Sequence, residues 1–77
     1  MLNEFRKIWY TIYDRLDIVS TVGPFIKENN LKFYMSSGIH NGEIKFIWQV
    51  EMTSGDASYL MLTNSGITIS KCKAHYG

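Results

Sequence analysis

Two residues near the C-terminus, Cys72 and His75, have types and spacing that could bind a metal ion. A cysteine and a histidine separated by two residues can bind one zinc ion, but a structural zinc site needs four ligands. The other histidine, His40, is expected at a turn opposite Glu43. We therefore predict no metal site. A zinc site here would instead be recognised by bound metal and by stability that a chelator removes.

The other combinations that could carry out catalysis are incomplete. Lys71 and Lys73 flank Cys72 and could activate a nucleophilic thiol, but no residue is predicted to orient them. Asp14 and Asp17 lie near the end of a predicted helix, and the other carboxylates are dispersed. No glycine-rich loop is followed by the lysine, serine or helix start that a phosphate site needs. We expect a protein that is not an enzyme, without catalytic residues or a cofactor.

Length, charge and cysteine content limit the remaining classes of protein. The chain has 77 residues, of which 45% are hydrophobic and 19% charged, as is typical of one globular domain. The net charge of +1 favours neither a polyanion-binding surface nor an acidic mimic of nucleic acid. A single cysteine excludes an intrachain disulfide, and no apolar run approaches the roughly 20 residues that cross a bilayer. We expect a complete cytoplasmic protein with one domain, residues 1–77.

The elements that would position these side chains begin with an amphipathic helix. Apolar residues recur at spacings of three and four, which is the period of a helix that buries one face. We predict this helix over residues 2–17 and a short second helix over 24–29, where Pro24 suits the first helical turn. The helix-spaced residues are Leu2, Phe5, Trp9, Ile12, Leu16 and Val19.

From Leu31 onward the apolar period changes to two, which predicts strands over 31–37, 43–53, 58–63 and 67–73. Asn41-Gly42 suits a two-residue type I′ turn that sets the register of the first hairpin. Gly55-Asp56 is assigned to a type II′ turn, and residues 64–66 to a three-residue loop with a bulge. On the face expected to form the core with the helix, the first register pairs Ile39 with Ile44, Met35 with Trp48, Phe33 with Val50 and Leu31 with Met52.

The predicted fold class is α+β, with the N-terminal helix packed on one face of a four-stranded antiparallel β-meander. The opposite face of this sheet would place aliphatic side chains together among polar ones, and such exposed apolar patches mark protein–protein interfaces. We therefore predict a small interaction protein that binds a host protein or a second copy of itself, as a homodimer, inhibitor or adaptor. The predicted partner-binding residues are Tyr34, Ile47, Gln49, Leu60 and Leu62.

Nucleic-acid binding is the alternative function, because antiparallel sheets that carry aromatic residues can stack bases. The predicted register turns most aromatic side chains toward the helix, which weakens this alternative. The residues that would serve it are Lys32, Tyr34, Lys45, Lys71 and Lys73.

Amino-acid usage adds an association rather than a physical argument. The chain contains nine isoleucines, six lysines and five tyrosines but two alanines, as expected of an AT-rich gene. Phage and mobile-element accessory proteins have this character, which suggests an anti-defence protein that inhibits a host defence system or a host enzyme.

Overall fold

The computed structural model describes residues 6–15 and 20–72 of the chain. The elements are β1 (Ile8–Arg15), α1 (Val22–Glu28), β2 (Phe33–His40), β3 (Glu43–Met52), α2 (Ser54–Thr63) and β4 (Thr68–Lys71). The α+β class is therefore confirmed. Within the described residues, neither helix is long and apolar enough to cross a membrane.

The four strands form one antiparallel sheet in the order β2-β3-β1-β4. β1 lies between β3 and β4 and is antiparallel to both, while β2 pairs with β3 at the edge of the sheet. This connectivity is the split β-α-β arrangement of ferredoxin-like folds. The predicted meander is wrong, because α2 carries the chain from β3 across to β4 and leaves β1 between these two strands.

The predicted N-terminal helix is also wrong over the described residues, since Ile8–Arg15 is the strand β1. The remaining residues of that prediction, 2–5 and 16–17, lie outside the described residues. Tyr10, Ile12 and Asp14 are buried on one face of the strand, and the residues between them are half-buried on the other. β-branched and aromatic residues dominate this segment, and they favour the pleated surface of a strand.

The segment predicted as the strand 58–63 belongs to the helix α2. The Thr53 side chain accepts a hydrogen bond from the Asp56 N–H at 3.1 Å, and the Asp56 carboxylate accepts one from the Thr53 N–H at 3.3 Å. This capping box starts a helix where a type II′ turn was expected at Gly55-Asp56. The loop 64–66 joins α2 to β4 rather than two strands, although Gly66 has the expected left-handed backbone, with φ of 86°.

The β2–β3 hairpin is confirmed in its turn and in its register. Asn41 and Gly42 have φ of 54° and 79°, and a type I′ turn requires positive values at both positions. The short helix is α1, Val22–Glu28 rather than 24–29, and β4 covers Thr68–Lys71 of the predicted strand 67–73, whose last residue lies outside the described residues. The observed pairs include His40–Glu43, Ile39–Ile44, Met35–Trp48 and Phe33–Val50.

The core lies between the two helices and one face of the sheet, which we call the helix side. A Cβ atom added at Gly23 of α1 would lie 3.5 Å from the Trp48 ring, so α1 packs closely on β3. α2 lies against β4. Within residues 6–15 and 20–72 no element covers the helix side of β2, and Phe33, Met35 and Ile44, which were expected in the core, are exposed. The buried apolar residues are Tyr10, Ile12, Val22, Ile26, Leu31, Val50, Met52, Ala57 and Leu60.

Candidate interaction surface

The structure brings together three of the five predicted partner-binding residues. Tyr34 lies opposite Gln49, and Ile47 lies two residues before Gln49 on β3. All three are on the face of the sheet away from the helices, which we call the open face. Leu60 is wholly buried in the core and Leu62 is 87% exposed on α2. The predicted aliphatic patch does not form, because residues two apart face the same way on a strand but not on a helix.

The lysines chosen for nucleic-acid binding do not share one face. Lys71 lies opposite Tyr10 on the helix side, and Lys73 lies outside the described residues. Lys45 is largely covered, with a side chain 11% exposed, and its Nζ lies 4.0 Å from a carboxylate oxygen of Glu43. On the open face lie Lys32, Tyr34 and Lys45.

Four aromatic side chains on the open face, which we call the open-face aromatics, form two stacked pairs. The ring centroids of Trp9 and Tyr34 lie 5.7 Å apart, with planes inclined by 28°. Those of Tyr13 and His40 lie 3.8 Å apart, with planes inclined by 10°. Because β3 lies between β1 and β2, each pair spans β3. Apart from Tyr34, sequence reasoning missed these residues as a group, since β1 was interpreted as a helix.

The cysteine considered for zinc binding also lies near this face. Cys72 Sγ is 2.7 Å from Thr11 Oγ1, and His75 lies outside the described residues. No group of three or more histidine, cysteine or acidic side chains is placed to hold a metal ion in residues 6–15 and 20–72.

The exposed apolar surface is concentrated on the β2–β3 hairpin. Eight large hydrophobic side chains are exposed among the described residues, and five of them belong to this hairpin. Four of the five lie on the helix side, where their side chains are between 42% and 75% exposed. We call this group, Phe33, Met35, Ile39 and Ile44, the hairpin patch.

The hairpin patch borders a cleft of about 510 Å³ between α1 and β3. Trp48 connects the two features, since it lies opposite Met35 of the patch and its ring contacts Phe33 at a centroid distance of 5.7 Å. The patch and the cleft therefore meet at Trp48. The cleft is lined by Gly23, Pro24, Lys27, Glu28 and Trp48.

β2 is also an edge strand of the sheet, and its residues are mostly exposed. Edge strands are usually protected by charges, proline or a bulge, because an unprotected edge pairs with other chains. Phe33–His40 contains no proline and no lysine, arginine, aspartate or glutamate. The edge strand and the hairpin patch beside it thus form the most exposed apolar region of the described structure.

Comparison of the chain with protein-family models, with curated proteins and with solved structures finds no match. The fold alone does not assign a function, because one fold serves many.

Proposed function

We propose that this chain is a non-enzymatic protein–protein interaction module that binds its partner through β2 and the hairpin patch. The observation that supports it is the concentration of exposed apolar side chains on an edge strand without charged protection. A contiguous exposed apolar patch of this kind commonly marks a protein-binding site. The module would act by occupying a partner's surface, as an inhibitor or an adaptor does.

The hairpin patch is large enough to matter energetically. Full burial of one large apolar side chain contributes about 1.5–3 kcal/mol. The four side chains of the patch are between 42% and 75% exposed, so covering all of them would contribute about 3–7 kcal/mol before the entropic cost of association. That gain corresponds to roughly two to five powers of ten in affinity.

The geometry favours β-augmentation, in which a strand of the partner extends the sheet. The backbone of β2 would supply hydrogen bonds along its outer edge. Side chains of the added strand on the helix side would meet Phe33, Met35 and Ile39, which alternate along β2 and face that side. Affinity would then come from the backbone ladder and selectivity from the patch.

Affinity capture with matched surface variants tests this proposal. The immobilised full chain is exposed to a lysate of the cell that expresses it, with and without nuclease treatment, at low and at moderate salt. Ile39→Lys places a charge in the hairpin patch, where Ile39 is 75% exposed, and Leu62→Lys places the same charge on α2, at a leucine outside the patch that is 87% exposed. Both variants should fold, because exposed positions tolerate substitution within about 0.5 kcal/mol.

We expect capture of a protein partner in near-stoichiometric amount, which can be another copy of the chain, and binding that persists at moderate salt. Its capture should survive Leu62→Lys and be lost with Ile39→Lys. A partner retained equally by both variants would contradict a binding site on the hairpin patch. Recovery of nucleic acid alone, lost at moderate salt, would contradict the interaction function itself.

A second candidate function, binding of single-stranded nucleic acid, is favoured by the open-face aromatics. Rings on an open antiparallel sheet can stack bases, and Arg15 and Lys32 lie on the same face of the sheet as these rings. Binding of a fluorescent single-stranded RNA should then weaken steeply with added salt and should fall with Trp9→Leu. Ile39→Lys lies on the other face and should leave RNA binding unchanged, so Trp9→Leu and Ile39→Lys together separate the two candidates.

A further inference from the structure

The outer edge of β2 exposes backbone groups as well as side chains. The Glu51 N–H donates to the Lys32 carbonyl oxygen at 3.0 Å, so Lys32 and Glu51 form a hydrogen-bonded pair. Because the residues of an antiparallel strand direct their N–H and C=O groups alternately to either side, the odd-numbered residues of β2 point theirs away from β3. No strand of the described residues pairs with this edge. The outward-pointing residues are Phe33, Met35, Ser37 and Ile39.

We propose that the partner on this edge is a second copy of the chain, paired antiparallel through β2 with Ser36 on the twofold axis. The inference rests on the proposed function, since it names the partner that the interaction surface takes. Phe33 of each copy then lies opposite Ile39 of the other, and Met35 opposite Ser37. The two sheets join into one sheet of about eight strands with all helices on the same side.

The backbone of β2 is self-complementary in this register. Residues directly opposite each other in an antiparallel pair face the same side of the sheet, so odd-numbered residues must meet odd-numbered ones. With Ser36 on the axis this condition holds along the whole strand. All outward N–H and C=O groups from Phe33 to Ile39 find partners, which gives about eight hydrogen bonds between the two copies.

The side chains are self-complementary as well. On the helix side, Ile44 and Ile39 lie opposite each other, and this apolar row continues into Phe33 of the second copy. The two hairpin patches therefore become one buried surface. On the open face, Tyr34 lies opposite Gly38 of the second copy, beside the Ile47 side chain that lies over this glycine.

The charges also fit a second copy. β2 contains no Lys, Arg, Asp or Glu, so no like charges of these types meet along the paired strands. At each end, the row across the joined sheet reads Glu51 and Lys32, then His40 and Glu43 of the second copy. Lys32 is thus directly opposite an acidic residue within its own copy, where opposite charges on neighbouring strands are stabilising, and its neighbour in the second copy is His40.

The mass of the full chain in solution, measured by analytical ultracentrifugation, is the first test. Ser37→Pro is the variant that should weaken the dimer, because it removes an N–H that points away from β3 toward the second copy. The fold should be kept, since proline is tolerated on an edge strand at such a position. We expect the wild type to dimerise and Ser37→Pro to dimerise at least tenfold more weakly, with unchanged dispersion of the amide NMR spectrum. A wild type that stays monomeric at millimolar concentration, or a folded Ser37→Pro chain that dimerises equally well, would overturn the proposal.

A disulfide test determines the register and does not depend on the proline variant. It uses a Cys72→Ser chain carrying Ser36→Cys or, as the control, Ser37→Cys. Across the axis the two Cα atoms at position 36 would lie about 4.5 Å apart, as in a non-hydrogen-bonded pair, within the disulfide range of about 4.4–6.8 Å. Those at position 37 would lie about 8 Å apart. Oxidation should cross-link Ser36→Cys alone, and cross-linking of Ser37→Cys instead would overturn the register.

Failure of this inference is distinguishable from failure of the proposed function. A monomeric chain that captures another protein through a surface sensitive to Ile39→Lys contradicts the second copy and keeps the interaction module. A monomeric chain whose captured proteins are insensitive to Ile39→Lys contradicts both.

Discussion

Leu60 and Leu62 lie two residues apart on α2 with opposite surroundings, since Leu60 is 0% exposed and Leu62 is 87% exposed. Truncation of a buried leucine to alanine costs about 2–5 kcal/mol. At about 0.05–0.15 kcal/mol per residue, a chain of 77 residues has a free energy of unfolding of about 4–12 kcal/mol. Leu60→Ala should therefore remove a large fraction of the stability, and Leu60→Lys should prevent folding. Leu62→Ala should change the free energy of unfolding by no more than about 0.5 kcal/mol.

Urea unfolding followed by tryptophan fluorescence and far-ultraviolet circular dichroism measures both variants. With a denaturant slope of about 1 kcal/mol per molar urea, expected for so short a chain, Leu60→Ala should lower the midpoint by about 2 M or more. Leu62→Ala should leave it nearly unchanged. If residues 58–63 were a strand, Leu60 and Leu62 would share one face and respond alike. Equal losses from the two variants would therefore refute the assignment of α2.

Two further predictions test the local geometry around α2 with the same urea assay. Thr53→Ala should destabilise the chain by about 1 kcal/mol by removing the side-chain bond of the capping box, whereas Thr53→Ser should retain it; equal stability of the two variants would contradict the cap. Gly55→Ala should stabilise by about 0.5 kcal/mol, because Gly55 is helical and an added Cβ makes only ordinary contact, 3.7 Å from Thr53 Oγ1. Gly66→Ala should instead destabilise by about 1–2 kcal/mol, since the φ of Gly66 is 86°. A loss of stability in Gly55→Ala would contradict the helical assignment of Gly55 and favour the type II′ turn.

The β2–β3 hairpin was predictable because its determinants are local. Asn41 and Gly42 adopt positive φ at little cost, and the two-residue turn fixes which residues face each other. The alternation of apolar side chains agrees with that register, since a slip of one residue would turn Phe33 and Met35 to the other face. Tyr34 and Gln49 were correctly placed on the open face for the same reason.

β1 was misinterpreted because both of its faces carry apolar side chains. Tyr10 and Ile12 enter the core, while Trp9 and Tyr13 lie on the open face. The strand period of two is masked by this pattern, and Trp9 and Ile12 also fit a helical spacing. The run of β-branched and aromatic residues from Ile8 to Tyr13 was the indication of a strand that the spacing argument overrode.

For α2, the sequence contained the start signal of a helix, but we assigned those residues to a hairpin turn. Thr53 followed three residues later by Asp56 fits a capping box, but Gly55-Asp56 also fits a hairpin turn. Choosing between them requires knowing whether β3 has a neighbour other than the next segment of the chain. β1 occupies that position, with Tyr10 opposite Val50, so the segment after Met52 has no place beside β3 and folds as a helix.

The sequence by itself determined the α+β class, the short first helix and the β2–β3 hairpin, because backbone preferences and alternation act over a few residues. Only the tertiary structure decided that β1 lies between β3 and β4, since strand pairing between distant segments depends on which arrangement buries the most apolar surface. That choice also decided where the proposed interaction surface lies. The helices cover β3, β1 and β4, so Phe33, Met35 and Ile39 on β2 remain exposed, although their alternation alone had assigned them to the core.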